Sequence, residues 1–164
     1  MTVESILDFE AVSTGEKPFR LLSETNKANY LILFFYPKDD TLGCTNECQQ
    51  FRDSYTDFCQ LGCEIFGISR DSLKSHINFK QKYDLPFELL SDPDETVCQQ
   101  FSVMKMKNMY GKQVRGIERS TFVLDGKGQL LNVWRGVKVE GHVQEVLAFL
   151  KGDLVNQPAE VTNT

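Results

Sequence analysis

The stretch DDTLGCTNECQQF, residues 39–51, holds the residues of this sequence that are best suited to chemistry. Cys44 follows a turn and stands where a helix should begin, and free backbone N–H groups at a helix start stabilise an anion such as a thiolate. Thr41 carries a hydroxyl that can donate and accept a hydrogen bond, and Pro37 fixes the entry into the loop. A thiolate in this setting can attack one oxygen of an O–O bond while neighbouring donors hold the other oxygen.

The elements that must position this stretch predict an α/β fold with a mainly parallel central sheet flanked by helices. The apolar run at 30–37 predicts a buried strand, and apolar residues at helical spacing through Phe58 predict the helix that Cys44 opens. Ligand sites in such sheets lie beyond the carboxyl ends of the strands, where the loop 37–44 begins. Further along, the pattern predicts a strand at 63–69, a helix at 71–84, a strand at 87–90, a helix at about 92–102, a hairpin at 119–135 and a closing helix from Val143.

Length and composition bound the class of protein. The 164 residues suit one domain, predicted at 1–152, followed by a polar and mobile tail at 153–164. The net charge of −5 does not favour a nucleic-acid partner, and the longest apolar run is too short to span a membrane. No targeting segment is recognisable, so a cytoplasmic monomer is expected.

Larger blocks of the sequence resemble a known family. FFYPKDDTLGCTNE resembles the active-site signature of the peroxiredoxins, with a proline, a threonine three residues before the cysteine, and that cysteine opening a helix. FFYPKDDTLGCTNECQQFRD, GISRDS, LLSDPDE and KNMYGKQVRGIERSTFVLD are similar, in this order, to the bacterioferritin comigratory protein subfamily, also called peroxiredoxin Q. These blocks span roughly residues 30–140.

The resemblance implies a thioredoxin-like fold and a thiol-dependent peroxidase that needs no cofactor or metal. Cys44 would be the peroxidatic cysteine, which reduces hydrogen peroxide or an organic hydroperoxide and becomes a sulfenic acid. Thr41 matches the peroxide-binding threonine of the family, and Arg119 matches the arginine that stabilises the thiolate and holds the peroxide. Pro37 and Glu47 would support the site, Glu47 as a cap of the helix start or by polarising the site. Family members are usually recycled by thioredoxin, and a glutaredoxin-type reductant would suit the same chemistry.

The cysteine that resolves the sulfenic acid is harder to assign. Many relatives carry it five residues after the peroxidatic cysteine, where this chain has Gln49. Cys48 is near Cys44, but Cβ atoms four residues apart in a helix are about 5–6 Å apart, whereas a disulfide needs about 3.5–4.5 Å. Cys98 lies on a short helix that can melt locally. The resemblance adds that one branch of the family places its resolving cysteine on this helix, after the LLSD block. Cys98 is therefore the preferred resolving cysteine, and Cys48 is the alternative.

A second class of function is a thioredoxin-like copper(I)-binding protein that uses the C-x3-C pair Cys44 and Cys48. That class needs a histidine near the site, and neither His76 nor His142 follows a metal-binding spacing. Cys59 and Cys63 are predicted to be packing residues.

Overall fold

The computed structural model describes residues 8–156, so the last eight residues of the predicted tail lie outside the described part. Its elements, in chain order, are β1 Glu10–Ser13, β2 Phe19–Arg20, α1 Leu21–Thr25, β3 Tyr30–Phe35, α2 Leu42–Asp53, α3 Tyr55–Gln60, β4 Cys63–Ser69, α4 Leu73–Lys82, β5 Glu88–Ser91, α5 Thr96–Gln100, β6 Met104–Met109, β7 Lys112–Ile117, β8 Ser120–Asp125, β9 Leu130–Arg135 and α6 His142–Asn156.

Seven strands form one sheet in the order β2-β1-β5-β4-β3-β8-β9. β3, β4 and β5 are mostly buried and pair in parallel, as their continuous apolar runs predict, and helices make the crossovers between them. The flanking strands β1, β2, β8 and β9 pair antiparallel, which makes the sheet mixed. The predicted α/β class is confirmed, but the sheet is mixed rather than mainly parallel, because only the central pairings of β3 with β4 and β4 with β5 are parallel.

The sheet separates two hydrophobic cores. On one face, the alternate residues Tyr30, Ile32, Phe34 and Tyr36 pack under α2, α3, α4 and α6. On the other face, the intervening residues of β3 pack against α1, α5 and the hairpin of β1 and β2. Because side chains alternate along a strand, one fully buried strand supports both cores, and this explains its unbroken apolar sequence.

The predicted boundaries of several helices differ in the structure. The helix predicted to continue through Phe58 breaks at Ser54, which separates α2 from α3. The closing helix α6 runs through Asn156, so the residues at 153–156, predicted to be tail, are helical. Leu150 is the last buried residue of α6, and no buried position on the following turn marks its continuation in the sequence. Within residues 8–156, no helix is long and apolar enough to cross a membrane.

The hairpin of β6 and β7 was not expected from the sequence. Its strands read MKMKNM and KQVRGI, with few of the β-branched or aromatic residues that strands favour. Tyr110 and Gly111 both have positive φ, 53° and 81°, as a two-residue type I′ turn requires. A tyrosine at the first turn position is unusual, because asparagine, aspartate or glycine usually adopts this conformation.

Helix α5 begins at Thr96, four residues later than predicted. Glu95 has a left-handed backbone, φ 63°, and its side chain makes ion pairs, so no capping box forms. Asp92 does bind the helix start: its two carboxylate oxygens accept hydrogen bonds from the N–H groups of Val97, at 3.1 Å, and Cys98, at 2.7 Å. Asp92 therefore binds the start of α5 from four residues before the helix, across a turn.

We predict that Asp92→Ala destabilises the protein by about 1–2 kcal/mol, because two buried N–H groups of α5 lose their acceptor. Asp94→Ala, which removes an exposed carboxylate from the same loop, serves as the matched control and should change stability by less than about 0.5 kcal/mol. Urea denaturation of both variants measures the difference. Equal stabilities would show that α5 does not depend on Asp92.

Candidate active site

Cys44 is the third residue of α2 and is 1% exposed. Thr41 is the residue before the helix, and its carbonyl accepts the Thr45 N–H at 2.8 Å, which closes the first turn. The N–H groups of this turn have no earlier helical carbonyl to bind and are available to an anion. The structure therefore places the Cys44 sulfur where the sequence predicted, at a helix start directly after the central strand.

Two donors approach the Cys44 sulfur. The backbone N–H of Lys38 lies 3.5 Å from Sγ, and Nη2 of Arg119 lies 3.6 Å from it. Arg119 comes from the far end of the chain, but Ser120 pairs with Phe35 in the sheet, so the start of β8 lies beside the end of β3. Sheet register thus brings Arg119 and Cys44 together across 75 residues of sequence.

Arg119 also binds Glu47, whose Oε1 accepts a hydrogen bond from Nη1 at 2.7 Å. Glu47 is fully buried, and its Oε2 has no partner among the described residues. Burial raises the pKa of Glu47 to about 7, even though the neighbouring Arg119 opposes this shift. Of the two predicted roles, the structure supports polarisation of the site, because Glu47 binds Arg119 and makes no cap to the helix start.

Gly43 makes room for Arg119, and sequence reasoning missed it. A Cβ atom at position 43 would lie 3.1 Å from Nη2 of Arg119, the same atom that approaches the Cys44 sulfur. Glycine is unfavourable inside a helix by about 1 kcal/mol relative to alanine. The unfavourable glycine at the second position of α2, directly before Cys44, is the feature of the sequence that could have indicated that another group approaches the backbone here.

Thr41 is exposed, and its hydroxyl donates to the carbonyl of Lys38 at 2.8 Å. The hydroxyl makes no cap to α2, so its oxygen lone pairs remain able to accept a further hydrogen bond. Pro37 is half-buried between β3 and the loop. Pro37 and Thr41 therefore border the loop that presents the Lys38 N–H to sulfur.

Helix α4 holds this loop through a buried polar network that the sequence did not reveal. Asp39 accepts hydrogen bonds from Tyr36 at 2.6 Å and Ser75 at 2.8 Å, and its Oδ2 lies 2.7 Å from Nδ1 of His76. Nε2 of His76 lies 2.9 Å from the carbonyl of Leu90. The two ring nitrogens of His76 thus face oxygen atoms of Asp39 and Leu90, and these contacts fix the orientation of the ring. His76, expected to be an ordinary residue, fixes the residue next to Lys38.

Within residues 8–156, one group of side chains has a metal-like arrangement: Asp39, Asp71 and His76. Its ligand atoms are already engaged, since Oδ2 of Asp71 accepts from the Asp39 N–H at 2.9 Å and from Ser69 at 2.6 Å. His142 is likewise committed, with Nε2 2.7 Å from the Thr121 hydroxyl, and burial together with Arg119 lowers its pKa to about 4. These contacts make both groups parts of the protein's own hydrogen-bond network.

The two candidate resolving cysteines lie in different environments. Cys48 is one turn after Cys44 on the same helix and in the same core, and burial followed by the nearby Glu47 raises its thiol pKa. Cys98 lies in the core on the opposite face of the sheet, with no exposed surface. The structure therefore does not bring Cys98 to Cys44. Cys63 is also buried, with a pKa raised to about 12 by burial, whereas Cys59 is exposed.

A pH-dependent stability follows from Glu47. Its pKa is about 7 in the folded protein and near 4.5 when unfolded, so between these values the unfolded chain ionises while the folded protein keeps the proton. The Glu47 contribution to stability is complete below pH about 4.5 and falls by about 3 kcal/mol as pH rises through 7. Glu47→Gln removes this loss, so its stability relative to wild type should rise by that amount over the same pH range.

Denaturant titrations at pH 4.5, 6 and 8 measure this difference. Glu145→Gln, which removes one exposed carboxylate from α6, is the matched control for the change in net charge. A difference between Glu47→Gln and wild type that does not vary with pH would show that folding does not raise the pKa of Glu47.

Comparison with known proteins agrees with this geometry. Residues 3–133 match the model of the AhpC/TSA family. The chain is 54% identical over 154 residues to Peroxiredoxin Bcp of Xanthomonas campestris, covering 90% of this chain and 96% of the relative. It is 49% identical over 125 residues to Peroxiredoxin Bcp of Bacillus subtilis, covering 76% and 80%.

A solved structure of the X. campestris bacterioferritin comigratory protein, studied for its alkyl peroxide reduction activity, is 46% identical. It superimposes with a TM-score of 0.81 over 88% of this chain and 91% of that chain. The predicted thioredoxin-like fold is thereby confirmed, as is the subfamily that the sequence resembles. The chain belongs to the AhpC/TSA family and is a peroxiredoxin, a peroxide-reducing enzyme of the Bcp and peroxiredoxin Q group.

Proposed function

We propose that this protein reduces hydrogen peroxide and alkyl hydroperoxides with Cys44 as the peroxidatic thiol and is recycled by thioredoxin. The observation that carries this proposal is the pair of donors at the Cys44 sulfur, the Lys38 N–H at 3.5 Å and the Arg119 guanidinium at 3.6 Å. Both favour the thiolate, which is the nucleophilic form of cysteine. The alkyl peroxide reduction studied in the X. campestris relative supports the same substrates here.

In the first step, the Cys44 thiolate attacks one peroxide oxygen and the O–O bond breaks. Negative charge develops on the departing oxygen, which takes up a proton and leaves as water or an alcohol, while Cys44 becomes a sulfenic acid. Arg119 donates to this oxygen through N–H groups in a fixed plane, and the Thr41 hydroxyl orients the peroxide. Glu47 keeps the guanidinium directed at sulfur.

For the second step, the structure favours Cys48 as the resolving cysteine over Cys98, which the sequence favoured. Cys98 would have to leave the core on the opposite face of the sheet before it could reach Cys44. Cys48 needs only the first turns of α2 to unwind, which costs a few hydrogen bonds of about 1 kcal/mol each. Unwinding also exposes Cys48 and removes the burial that raises its thiol pKa. The Cys48 thiolate then attacks the sulfenic sulfur, hydroxide leaves and is protonated to water, and a disulfide forms.

The reductant completes the cycle when one of its two thiols attacks this disulfide and its second thiol releases the peroxiredoxin. The cytoplasmic location and the monomeric state expected from the sequence stay predictions. The copper(I) alternative is less well supported, because a guanidinium adjoins the Cys44 sulfur and burial keeps Cys48 protonated, whereas copper requires thiolates.

The proposed activity is tested by coupled turnover. Wild-type protein with thioredoxin, thioredoxin reductase and NADPH should consume hydrogen peroxide and an alkyl hydroperoxide, and Cys44→Ser should consume neither, because the nucleophile is lost. Cys59→Ser removes an exposed thiol outside the site and is the matched control. Peroxidase activity that persists in Cys44→Ser would refute the assignment.

The resolving cysteine is identified by mapping disulfides. After one equivalent of peroxide, digestion without reductant should yield a Cys44–Cys48 link, which Cys98→Ser retains and Cys48→Ser lacks. Cys48→Ser should accumulate sulfenic acid that a dimedone probe traps. A dominant Cys44–Cys98 link in wild-type protein would restore the assignment that the sequence favoured.

A further inference from the structure

The β6–β7 hairpin projects from the domain as a separate two-stranded sheet. Six residues of strand on each side give it a length of about 20 Å. Its exposed surface is apolar near the tip: Tyr110 is 99% exposed, Met106 59% and Met109 49%. Such a hairpin has little stability of its own in water, and exposed apolar groups gathered on one projecting element indicate an interaction surface.

The hairpin is also the basic part of an acidic protein. Residues 104–117 contain Lys105, Lys107, Lys112 and Arg115 and no acidic residue. Because the whole chain carries −5 and the hairpin +4, the rest of the chain carries −9. An acidic partner is therefore repelled by most of this protein and attracted by the hairpin, which selects both where it approaches and in what orientation.

The hairpin is fixed at its base beside the active site. Ile117 is buried, and the Glu118 N–H donates to the carbonyl of Val103 at 2.7 Å. Arg115 pairs with Glu95 at the start of α5. Arg119, which lies 3.6 Å from the Cys44 sulfur, is the second residue after β7. A protein bound along the hairpin would thus lie next to the site where the Cys44 disulfide must be reduced.

We propose that the β6–β7 hairpin is the docking arm for the protein reductant, which it binds through an acidic face that also carries an apolar patch. This inference rests on the proposed recycling by thioredoxin. A reductant must meet the enzyme once in each cycle and leave again, and redox complexes of this kind use small interfaces and electrostatic attraction. The lysines supply the attraction, and the exposed Met109 and Val114, which lie on the same face as the lysines by strand register, supply the apolar contact together with Tyr110 at the tip.

The test separates reduction from peroxide attack. In Lys105→Gln/Lys107→Gln/Lys112→Gln, kcat/KM for thioredoxin should fall about tenfold at low ionic strength, and its salt dependence should flatten. Tyr110→Ser, which changes a fully exposed side chain, should lower kcat/KM about fivefold. The rate constant of Cys44 with peroxide in a single turnover without reductant should stay unchanged, as should turnover with dithiothreitol, which needs no docking surface.

Lys17→Gln/Lys127→Gln/Lys151→Gln removes the same charge from other exposed positions and is the matched control. An equal loss of kcat/KM in this control, or none in the hairpin variant, overturns the docking role. Binding of wild-type protein to anionic vesicles or duplex DNA that the hairpin variant loses, with thioredoxin kinetics unaffected, assigns the hairpin to another partner and also overturns it. Wild-type turnover with dithiothreitol but not with thioredoxin would refute the recycling and the docking role together, whereas no turnover with either would refute the peroxidase assignment itself.

Discussion

The guanidinium of Arg119, held between the Cys44 sulfur and the Glu47 carboxylate, is the interaction on which the site depends. A cation taken out of water is costly unless partners of opposite charge and good geometry surround it. Glu47 supplies one partner, with a full negative charge once the pH is above its pKa of about 7, and the thiolate supplies the other when it forms. The second oxygen of Glu47 is buried without a hydrogen-bond partner among the described residues, so Arg119 satisfies only half of this carboxyl group.

Strand pairing and a few local contacts place Arg119 and the loop before α2 around the Cys44 sulfur. Pairing of Phe35 with Ser120 places the end of β3 and the start of β8 side by side, so the loop before α2 and Arg119 leave the sheet at the same point. Gly43 then leaves room for the guanidinium, because a Cβ atom at this position would lie 3.1 Å from Nη2 of Arg119. On the other side of the loop, Asp39 and His76 hold the backbone whose N–H faces the sulfur. Each of these contacts acts on position and none takes part in the reaction.

Features fixed by local physics could be predicted from the sequence. The buried strand β3, the helix opened by Cys44 and the hairpin of β8 and β9 follow from apolar periodicity and turn residues, and Arg119 follows from the family resemblance. Features that depend on distant contacts could not. The partner of Glu47, the role of Gly43 and the pairing of His76 with Asp39 require the fold, because a sequence does not show which residues meet across the sheet.

The placement of Cys98 illustrates this limit. Its position on a short helix suggested easy access to Cys44, and the fragility of that helix is real, since α5 has five residues. Sequence distance and helix length do not reveal the face of the sheet on which a residue lies. Cys44 packs against the side chains on one face of β3, and Cys98 packs against those on the other face. This separation by the sheet outweighs the argument from helix length.

The first turn of α2 has a consequence for the life of the oxidised enzyme. In the proposed cycle, the turn that presents Cys44 to peroxide also keeps Cys48 out of reach, so the sulfenic acid would persist until that turn opens. During this interval a second peroxide molecule can oxidise it to a sulfinic acid, which thiols do not reverse. Two events therefore compete, one whose rate grows with peroxide concentration and one whose rate is an intrinsic property of the helix. The ratio of these rates defines a peroxide concentration above which most of the enzyme is inactivated as the sulfinic acid. The stability of the first turn of α2 sets that concentration.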